Sequence, residues 1–277
     1  MNSNLRNRLA VCSWSLQPSN PDELAGKLLE LGIPRVQLAL DPLREDAAVW
    51  GSTAGLMRAK GIKIVSGMFG CVGEDYTTLD TIRRTGGIAP DETWDQNRKN
   101  IHLTVALARE LGLKLVTFHA GFVPHDDQDP GFAKMLARLR EVADLFGAAG
   151  MVLGLETGQE TAPALGHLLQ QLSRENVAVN FDPANMILYD KGNPIEALKV
   201  LGRWIRQVHI KDGIRTKTPG TWGEEVPAGK GEVDWRAFFD TLSKLNFSGA
   251  AIIEREAGNQ RVADIRTAKE LVEKLVR

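Results

Sequence analysis

The chain has 277 residues, of which 43% are hydrophobic and 25% are charged, a composition typical of globular proteins and not of disordered or fibrous ones. Its formal net charge of −1 gives no general attraction to a phosphate backbone, so nucleic acid is not expected as a partner. The length fits one α/β barrel of about 250 residues, and we treat residues 1–277 as a single domain.

The cysteine content and the N-terminal segment bear on the compartment. Cys12 and Cys71 are too few for a disulfide framework and lack the paired spacing of thiolate metal sites, so we expect buried free thiols. The first residues contain no apolar segment of signal-peptide length. No stretch approaches the roughly 20 apolar residues of a membrane span. These features predict a cytoplasmic protein without a membrane partner.

Short β-rich segments alternate with longer amphipathic segments along the chain. The predicted strands are residues 9–14, 35–40, 62–68, 113–119, 151–156, 177–182, 205–211 and 250–254. The predicted helices are residues 21–31, 46–60, 94–111, 131–149, 162–175, 194–202, 234–245 and 260–276. Pro21 is typical of a helix start, and Gly32 stands where the same helix ends.

Eight repeats of strand and helix predict parallel strand pairing. An open, doubly wound sheet has the same alternation, but the chain lacks the Gly-rich phosphate fingerprint of that fold. The pattern therefore favours an α/β fold closed into a (β/α)8 TIM barrel. Two βα connections, residues 69–93 and 212–233, are long and rich in Gly and Pro. Because βα loops form the active-site face of such a barrel, we expect both to cover the substrate.

Four predicted strands end on a group that can bind a metal. Glu156, Asp182, His209 and Glu254 end the fifth, sixth, seventh and eighth strands in turn. A single strand-end carboxylate more often caps a helix or pairs with an arginine, but four consecutive strand ends favour one shared cation. Three carboxylates and an imidazole suit Mn²⁺, Mg²⁺ or Co²⁺ and tolerate Zn²⁺. The sequence therefore predicts one divalent ion at the mouth of the barrel, meaning the end where the strands finish.

The segments around these residues resemble the sugar phosphate isomerase/epimerase group of the xylose isomerase-like TIM barrels. The matching motifs are Leu155-Glu156-Thr157-Gly158-Gln159-Glu160, Phe181-Asp182-Pro183-Ala184-Asn185, Val208-His209-Ile210-Lys211-Asp212, Gly229-Lys-Gly-Glu-Val-Asp-Trp235 and Ile253-Glu254-Arg255-Glu256. The resemblance covers essentially the whole chain, and it implies that Glu156, Asp182, His209 and Glu254 hold the ion. It also implies that Glu156 and Glu254 are catalytic, one removing and the other returning a proton beside the carbonyl of a carbohydrate substrate.

Several other residues are candidate substrate contacts. His119 ends the fourth strand, Gln37 lies on the second, and Glu256 follows Glu254 by two residues and should share its face. The resemblance adds Arg215, while Lys211 suits an oxyanion or phosphate, and Trp14, Phe69 and Trp222 suit the apolar side of a sugar. Most of these residues also have a structural interpretation. His119 is equally consistent with a structural hydrogen bond, Arg215 with a solvated loop charge, and Lys211 with an ion pair to Asp212 or Glu256. The aromatic residues are equally consistent with core packing.

The chain departs from the family pattern in ways that affect its predicted substrate. Many relatives have a histidine three residues after the strand-six aspartate, where this chain has Asn185, itself a candidate substrate contact. The third strand, Ile64-Val65-Ser66-Gly67, has no histidine, and none follows His209. These differences remove ligands that the three-zinc apurinic endonucleases in the superfamily need, so DNA cleavage is not expected.

Three functions are compatible with these residues. The first is a metal-dependent isomerase or epimerase of a sugar or related ketose that works through an enediolate. The second is an inosose-type dehydratase that uses the same metal and the same first proton transfer. The third is a sugar-binding barrel without turnover, against which the four intact ligands argue. A homo-oligomer is compatible with the resemblance, although no segment indicates an interface.

Overall fold

The computed structural model describes residues 3–276 and contains a closed barrel of eight parallel strands. The barrel strands are β1 (Leu9–Cys12), β2 (Arg35–Ala39), β3 (Lys63–Met68), β4 (Leu115–Phe118), β5 (Val152–Glu156), β6 (Val177–Phe181), β7 (Ile205–Ile210) and β10 (Ala250–Ile253). They close in the order β1-β10-β7-β6-β5-β4-β3-β2, so each strand neighbours the next in sequence and β10 pairs with β1. The predicted single-domain (β/α)8 barrel is therefore confirmed.

Thirteen α-helices occur in residues 3–276, most of them between strands. They are α1 (Ser3–Arg6), α2 (Pro21–Glu30), α3 (Asp41–Glu45), α4 (Ala47–Trp50), α5 (Thr53–Ala59), α6 (Leu79–Thr85), α7 (Asp91–Glu110), α8 (Pro130–Ala148), α9 (Ala162–Leu172), α10 (Pro183–Leu188), α11 (Pro194–Leu201), α12 (Trp235–Lys244) and α13 (Arg261–Leu275). The start of α2 shows how the sequence sets these bounds: Asn20 accepts a hydrogen bond from the Glu23 N–H, and Pro21 occupies the first turn.

The largest hydrophobic cluster fills the space between the barrel and its helices. Phe118, Phe146 and Phe69 form a stacked series in it, with ring centroids 4.8 Å apart for Phe69–Phe118 and 6.0 Å for Phe69–Phe146. Cys12 is fully buried inside the barrel and Cys71 is half-buried, and both are free thiols, as expected except for the partial exposure of Cys71. None of the described helices combines the length and apolarity that crossing a membrane requires.

Two predicted elements differ from the structure near the barrel mouth. The single helix predicted over residues 46–60 is two short helices, α4 and α5, and a further short helix, α3, precedes them. Asp46 separates α3 from α4, because it leaves the helical conformation and caps α4 by accepting from the Val49 N–H. The first strand ends at Cys12 rather than at residue 14, because residues Ser13–Leu16 form a 3-10 helix. Trp14 therefore reaches the mouth from this turn.

The long connections after β3 and β7, which the sequence predicts as loops, contain regular secondary structure. Helix α6 lies in residues 69–93, and the antiparallel hairpin of β8 (Asp212–Ile214) and β9 (Glu224–Val226) lies in residues 212–233. Gly87 has a φ of 64°, and a Cβ there would lie 2.1 Å from the carbonyl of Ala120. Glycine at this position therefore lets the first connection pack directly on the loop after β4.

Candidate metal centre

The four predicted metal ligands stand at the same end of neighbouring strands. Glu156 is the last residue of β5, Asp182 follows β6, His209 is the penultimate residue of β7, and Glu254 follows β10. Because the strands are parallel and paired in this order, their ends converge at the mouth of the barrel. All four residues are at least 95% buried.

The ligand atoms surround one side of the His209 ring. His209 Nδ1 lies 3.4 Å from Glu156 Oε1, 3.4 Å from Asp182 Oδ2 and 3.2 Å from Glu254 Oε2. One ligand atom from each of the four residues lies within 4.8 Å of all the others. Four side chains from four strands thus share a space of the size that one cation occupies.

Three of these atoms are buried without a hydrogen bond: Asp182 Oδ2, His209 Nδ1 and Glu254 Oε2. The Lys211 ammonium is 3.0 Å from Glu254 Oε2, but its direction does not make a hydrogen bond. A buried polar atom without a partner costs free energy, and all three atoms point to the same place. A divalent cation would satisfy them together, so the residues fit the predicted ion.

Hydrogen bonds on the far side of the ring fix the orientation of His209. Its Nε2 lies 2.9 Å from Gln37 Oε1, which can only accept, so Nε2 carries a proton and Nδ1 is the ring nitrogen that faces the cluster. Asn180 Nδ2, which can only donate, lies 3.1 Å from this protonated nitrogen without a hydrogen bond to it and donates instead to Glu156 Oε2 at 2.9 Å. Both amides thus position ligands.

These two amides belong to a polar network inside the barrel. Gln37 Nε2 donates to Thr117 Oγ1 at 2.8 Å, Gln207 Nε2 donates to Asn180 Oδ1 at 3.1 Å, and Ser66 Oγ donates to Gln207 Oε1 at 2.6 Å. All of these side chains are buried. A fully hydrogen-bonded network in a low-dielectric interior is rigid, so it limits rotation of the ligands above it.

The charges of the cluster are strongly coupled. Burial by itself lowers the pKa of His209. The carboxylates of Glu254 and Glu156 raise that pKa by more than burial lowers it, so the net shift is well upward. Burial raises the pKa of Glu254, yet Lys211 and His209 outweigh it and hold that pKa well below its ordinary value. The carboxylates thus attract positive charge. A divalent cation would replace the imidazole proton in that role.

A cavity of about 520 Å³ opens beside the cluster. Five predicted substrate contacts line it, together with two of the predicted aromatic walls: Trp14, His119, Asn185, Lys211 and Glu256, with Phe69 and Trp222. The acidic residues Asp41, Glu74 and Glu225 also line it, as do Tyr76 and Tyr189. A pocket of this size that mixes aromatic walls with a few charged groups suits a small polar ligand.

The lining groups also contact the ligand carboxylates. Trp14 Nε1 donates to Glu254 Oε1 at 2.8 Å, and Asn185 Nδ2 donates to Glu156 Oε1 at 3.2 Å. His119 Nε2 lies 3.6 Å from Glu156 Oε1. Lys211 Nζ donates to Glu256 Oε2 at 2.6 Å. The expected pairing of Lys211 with Glu256 is therefore present, and the same ammonium reaches the cluster.

Two predicted substrate contacts lie elsewhere. Gln37 is fully buried inside the barrel, where it holds His209, and does not line the cavity. Arg215 is absent from the lining because it pairs with Asp190 at the surface, and its N–H donates to Glu232 Oε1 at 3.0 Å. The alternation of side chains along β2 points Gln37 into the barrel, but at a depth below the cavity. The hairpin after β7 turns Arg215 outward.

Asp212, next to Lys211, has a structural position that the motif did not indicate. Its Oδ1 accepts from the Gly213 and Val233 N–H groups at 2.9 and 3.2 Å. Its Oδ2 accepts from the Gly229 N–H at 2.8 Å and from Trp235 Nε1 at 2.9 Å. This buried carboxylate therefore ties the connection after β7 to the start of α12.

A closed (β/α)8 barrel with a cluster of three carboxylates and one histidine at its mouth defines the class of this protein. The xylose isomerase-like TIM barrel model matches residues 25–275, and the chain belongs to that family.

Solved structures with the same fold have different assigned activities. A xylose isomerase domain protein from Planctomyces limnophilus is 32% identical with a TM-score of 0.84, over 90% of this chain and 91% of that chain. An L-ribulose 3-epimerase is 18% identical with a TM-score of 0.75, over 97% and 94% of the two chains. The probable 3-DHS dehydratase AsbF from Bacillus anthracis is 16% identical with a TM-score of 0.73, over 96% and 98%.

Among curated proteins, "Putative L-ribulose-5-phosphate 3-epimerase SgbU" of Escherichia coli (strain K12) is 28% identical over 189 residues, which are 65% of each chain. Another relative from the same strain, the uncharacterized protein YihM, is 29% identical over 154 residues, or 54% of this chain. The chain spans 65% and 46% of the lengths of these two curated relatives.

Proposed function

We propose that the protein is a divalent-metal-dependent epimerase or isomerase of a sugar or related ketose. Glu156, Asp182, His209 and Glu254 would hold one Mn²⁺, Mg²⁺, Co²⁺ or Zn²⁺ ion. The observation that carries the proposal is the convergence of three buried ligand atoms that make no hydrogen bond, beside a cavity of about 520 Å³. Bound there, the ion would supply stabilisation for negative charge on the oxygens of a ketose.

Glu254 is placed to act as a general base. It lines the cavity, and its pKa is held well below the ordinary value because Lys211 and His209 outweigh the effect of burial. It is therefore ionised at neutral pH. Trp14 Nε1 donates a hydrogen bond to one oxygen of this carboxylate, and this bond restricts the orientation in which Glu254 meets a bound ligand. We assign it removal of a proton from the carbon beside the carbonyl.

Glu156 approaches from β5, with β6 and β7 between it and Glu254. Asn180 and Asn185 hold its two oxygens at 2.9 and 3.2 Å, and His119 lies 3.6 Å away. We assign Glu156 the delivery of a proton to the opposite face of the same carbon. Burial raises the pKa of Glu156, but His209 and His119 lower it more, so Glu156 is ionised at rest and would first take that proton from His119, which solvent then reprotonates while Glu254 releases its own proton. Lys211 lines the cavity and would stabilise negative charge on the substrate, in competition with its ion pairs to Glu254 and Glu256.

An inosose-type dehydratase is the second candidate, and one observation favours it. Such a reaction also needs a proton donor for the departing hydroxyl group. His119 lines the cavity; burial lowers its pKa, but the carboxylates of Glu156 and Glu74 raise it more, so the net shift is upward. A protonated imidazole in this position would serve as that donor.

Proton NMR in deuterated buffer tests both reactions. The purified protein, with its metal content measured, is incubated with a panel of ketoses and inososes, and the reaction is stopped with EDTA. Deuterium incorporation without loss of water supports epimerisation or isomerisation, whereas a dehydrated product supports the second candidate. Exchange should fall at least about 100-fold in E156Q and E254Q. The exposed Glu175 provides a matched control, E175Q. Absence of exchange across the panel, or exchange that survives both substitutions, refutes the proposal in favour of a non-catalytic sugar-binding barrel.

A further inference from the structure

A cavity of about 470 Å³ opens at the end of the barrel where the strands begin. It lies between the starts of β1, β2 and β3 and the second half of α13, and its charged lining residues are Arg6, Arg35, Lys63, Lys269 and Glu273. The metal centre lies at the opposite ends of the strands. Strands β2 and β3 have five and six residues, so at about 3.3 Å per residue the two sites are separated by roughly 15–20 Å along the strands.

Two of these cations start neighbouring strands side by side. Arg35 and Lys63 are the first residues of β2 and β3 and are direct partners in the pairing of these strands, which lie about 4.8 Å apart. Within residues 3–276, neither side chain forms an ion pair or a hydrogen bond, and Arg35 Nε is buried. Like charges at this separation repel, so an anion between them would lower the energy of the arrangement.

Burial makes the charge of Arg35 more costly. Its side chain is half-buried, and burial lowers its pKa. Burial also lowers the pKa of Arg8, which directly precedes β1, and the nearby charge of Arg35 lowers that pKa further. Positive charge therefore gathers at the starts of three neighbouring strands.

The remaining charges of the lining do not cancel this excess. Four cations face one carboxylate, that of Glu273, so the lining has a formal net charge of about +3. Lys269 Nζ donates to the backbone carbonyl of Leu31 at 2.9 Å, and Arg6 donates to the backbone carbonyl of Glu273. These neutral acceptors position the two cations at the cavity without neutralising them.

We propose that this cavity binds a diphosphate group, either as free pyrophosphate or as part of a nucleotide. Guanidinium and ammonium groups both bind phosphate oxygens through charge-assisted hydrogen bonds. A diphosphate brings several negative charges in one small ligand, which suits a lining of this net charge better than a monovalent anion does. Its oxygens would lie between Arg35 and Lys63 and offset their repulsion. This binding site is separate from the proposed reaction and does not depend on it.

Calorimetric titration of the full-length protein with pyrophosphate tests the proposal. Pyrophosphate should bind, and R35Q and K63Q should each weaken its binding about 10-fold or more, the usual effect of losing a charge-assisted hydrogen bond. K60Q is the matched control for net charge, because Lys60 is exposed and lies outside the cavity lining. Equal affinity in R35Q, K63Q and K60Q, or no binding to the unaltered protein, overturns the proposal.

Pyrophosphate also chelates divalent ions, so dialysed metal-loaded protein and EDTA-treated protein are titrated separately. Similar affinity in both supports a site remote from the metal centre, whereas binding that needs the metal places the ligand there and overturns the proposal.

Thermal denaturation separates a ligand site from a purely structural role of these cations. Without ligand, K63Q should have the same Tm as the unaltered protein or a higher one, because it removes the repulsion from Arg35. With pyrophosphate, its rise in Tm should be the smaller of the two. E273Q should bind pyrophosphate more tightly, because it neutralises the carboxylate of the lining. A lower Tm of ligand-free K63Q, or weaker binding by E273Q, would contradict the proposal.

ADP, AMP and citrate identify the ligand. ADP bound at least as tightly as pyrophosphate supports a diphosphate carried by a nucleotide, and pyrophosphate bound more tightly than ADP supports the free ion. AMP or citrate bound as tightly as pyrophosphate overturns the assignment to a diphosphate. These measurements involve no ketose, so this proposal and the proposed reaction can fail separately.

Discussion

Replacing Asp182 by asparagine separates the metal role of this residue from its role in the fold. One carboxylate oxygen, Oδ1, caps α10 through the Asn185 N–H, whereas Oδ2 faces the cluster without a hydrogen bond. Asparagine is an equally good N-cap residue, so D182N keeps the cap and removes only the charged ligand. In the absence of metal, we expect D182N to be at least as stable as the unaltered protein, because burial of the Asp182 carboxylate is costly and raises its pKa despite the nearby Lys211 and His209.

The expected size of the effect follows from linkage. At a metal concentration of 100 times the dissociation constant, binding stabilises the folded state by about 2.7 kcal/mol. A change of about 1 kcal/mol shifts Tm by about 2–4 °C in domains of 150–250 residues, so the ion should raise Tm by roughly 5–10 °C. Loss of a ligand that weakens affinity about 100-fold would reduce the stabilisation to about 0.4 kcal/mol and the shift to about 1 °C.

Thermal denaturation with and without Mn²⁺, after removal of metal with EDTA, measures these shifts. The E175Q variant should respond as the unaltered protein does, because Glu175 is exposed. A rise in the Tm of D182N with Mn²⁺ as large as that of the unaltered protein would refute the role of Asp182 as a metal ligand. A Tm that no divalent ion changes in either protein would refute the metal site itself.

Three further predictions concern the supports of the site. The Q37M variant should bind the metal about 10- to 100-fold more weakly, because it loses the acceptor that orients His209; a metal titration that gives affinities within twofold would contradict this role. D212A should destabilise the protein by about 3 kcal/mol or more in urea unfolding, because four donors lose their acceptor; a loss below about 1 kcal/mol would show that the loop does not depend on this carboxylate. Burial raises the pKa of Glu160 from 4.5 to about 8, so the folded state binds more protons than the unfolded state across that interval and stability should fall as pH rises through it. The E160Q variant should show a flatter pH dependence of unfolding free energy, and identical profiles for both proteins would argue against this assignment.

The barrel itself could be predicted because its signals are local and repeated. Apolar runs such as Val177–Phe181 mark strands buried on both faces, and the alternation with amphipathic helices leaves few ways to connect parallel strands. The four helices outside the predicted ranges are all short. Helices α1 and α3 have four and five residues, α10 has six directly after β6, and α6 has seven in a Gly-rich connection. Segments of this length carry too little periodicity to be recognised.

The convergence of the four ligands also follows from chain order, since neighbouring strands of one barrel end side by side. Their supporting residues are harder to predict. Asn180 and Gln207 interrupt apolar strands, which signals an inward polar position, but pairing them requires the β6–β7 register. That register shifts between Val179 and Asn180, and no sequence pattern indicates the irregularity. Gln37 was expected at the mouth because strand alternation gives the direction of a side chain but not its depth.

Lys211 and Asp212 are consecutive residues whose side chains point in different directions. The ammonium of Lys211 lines the substrate cavity, and the carboxylate of Asp212 accepts hydrogen bonds from the loop that follows. Inserting or deleting a single residue at this junction would point the Asp212 carboxylate into the cavity and the Lys211 ammonium at a cluster of N–H donors. We therefore expect this junction to tolerate changes of side chain far better than changes of length, which makes it a poor place for grafting loops in an engineered version of the barrel.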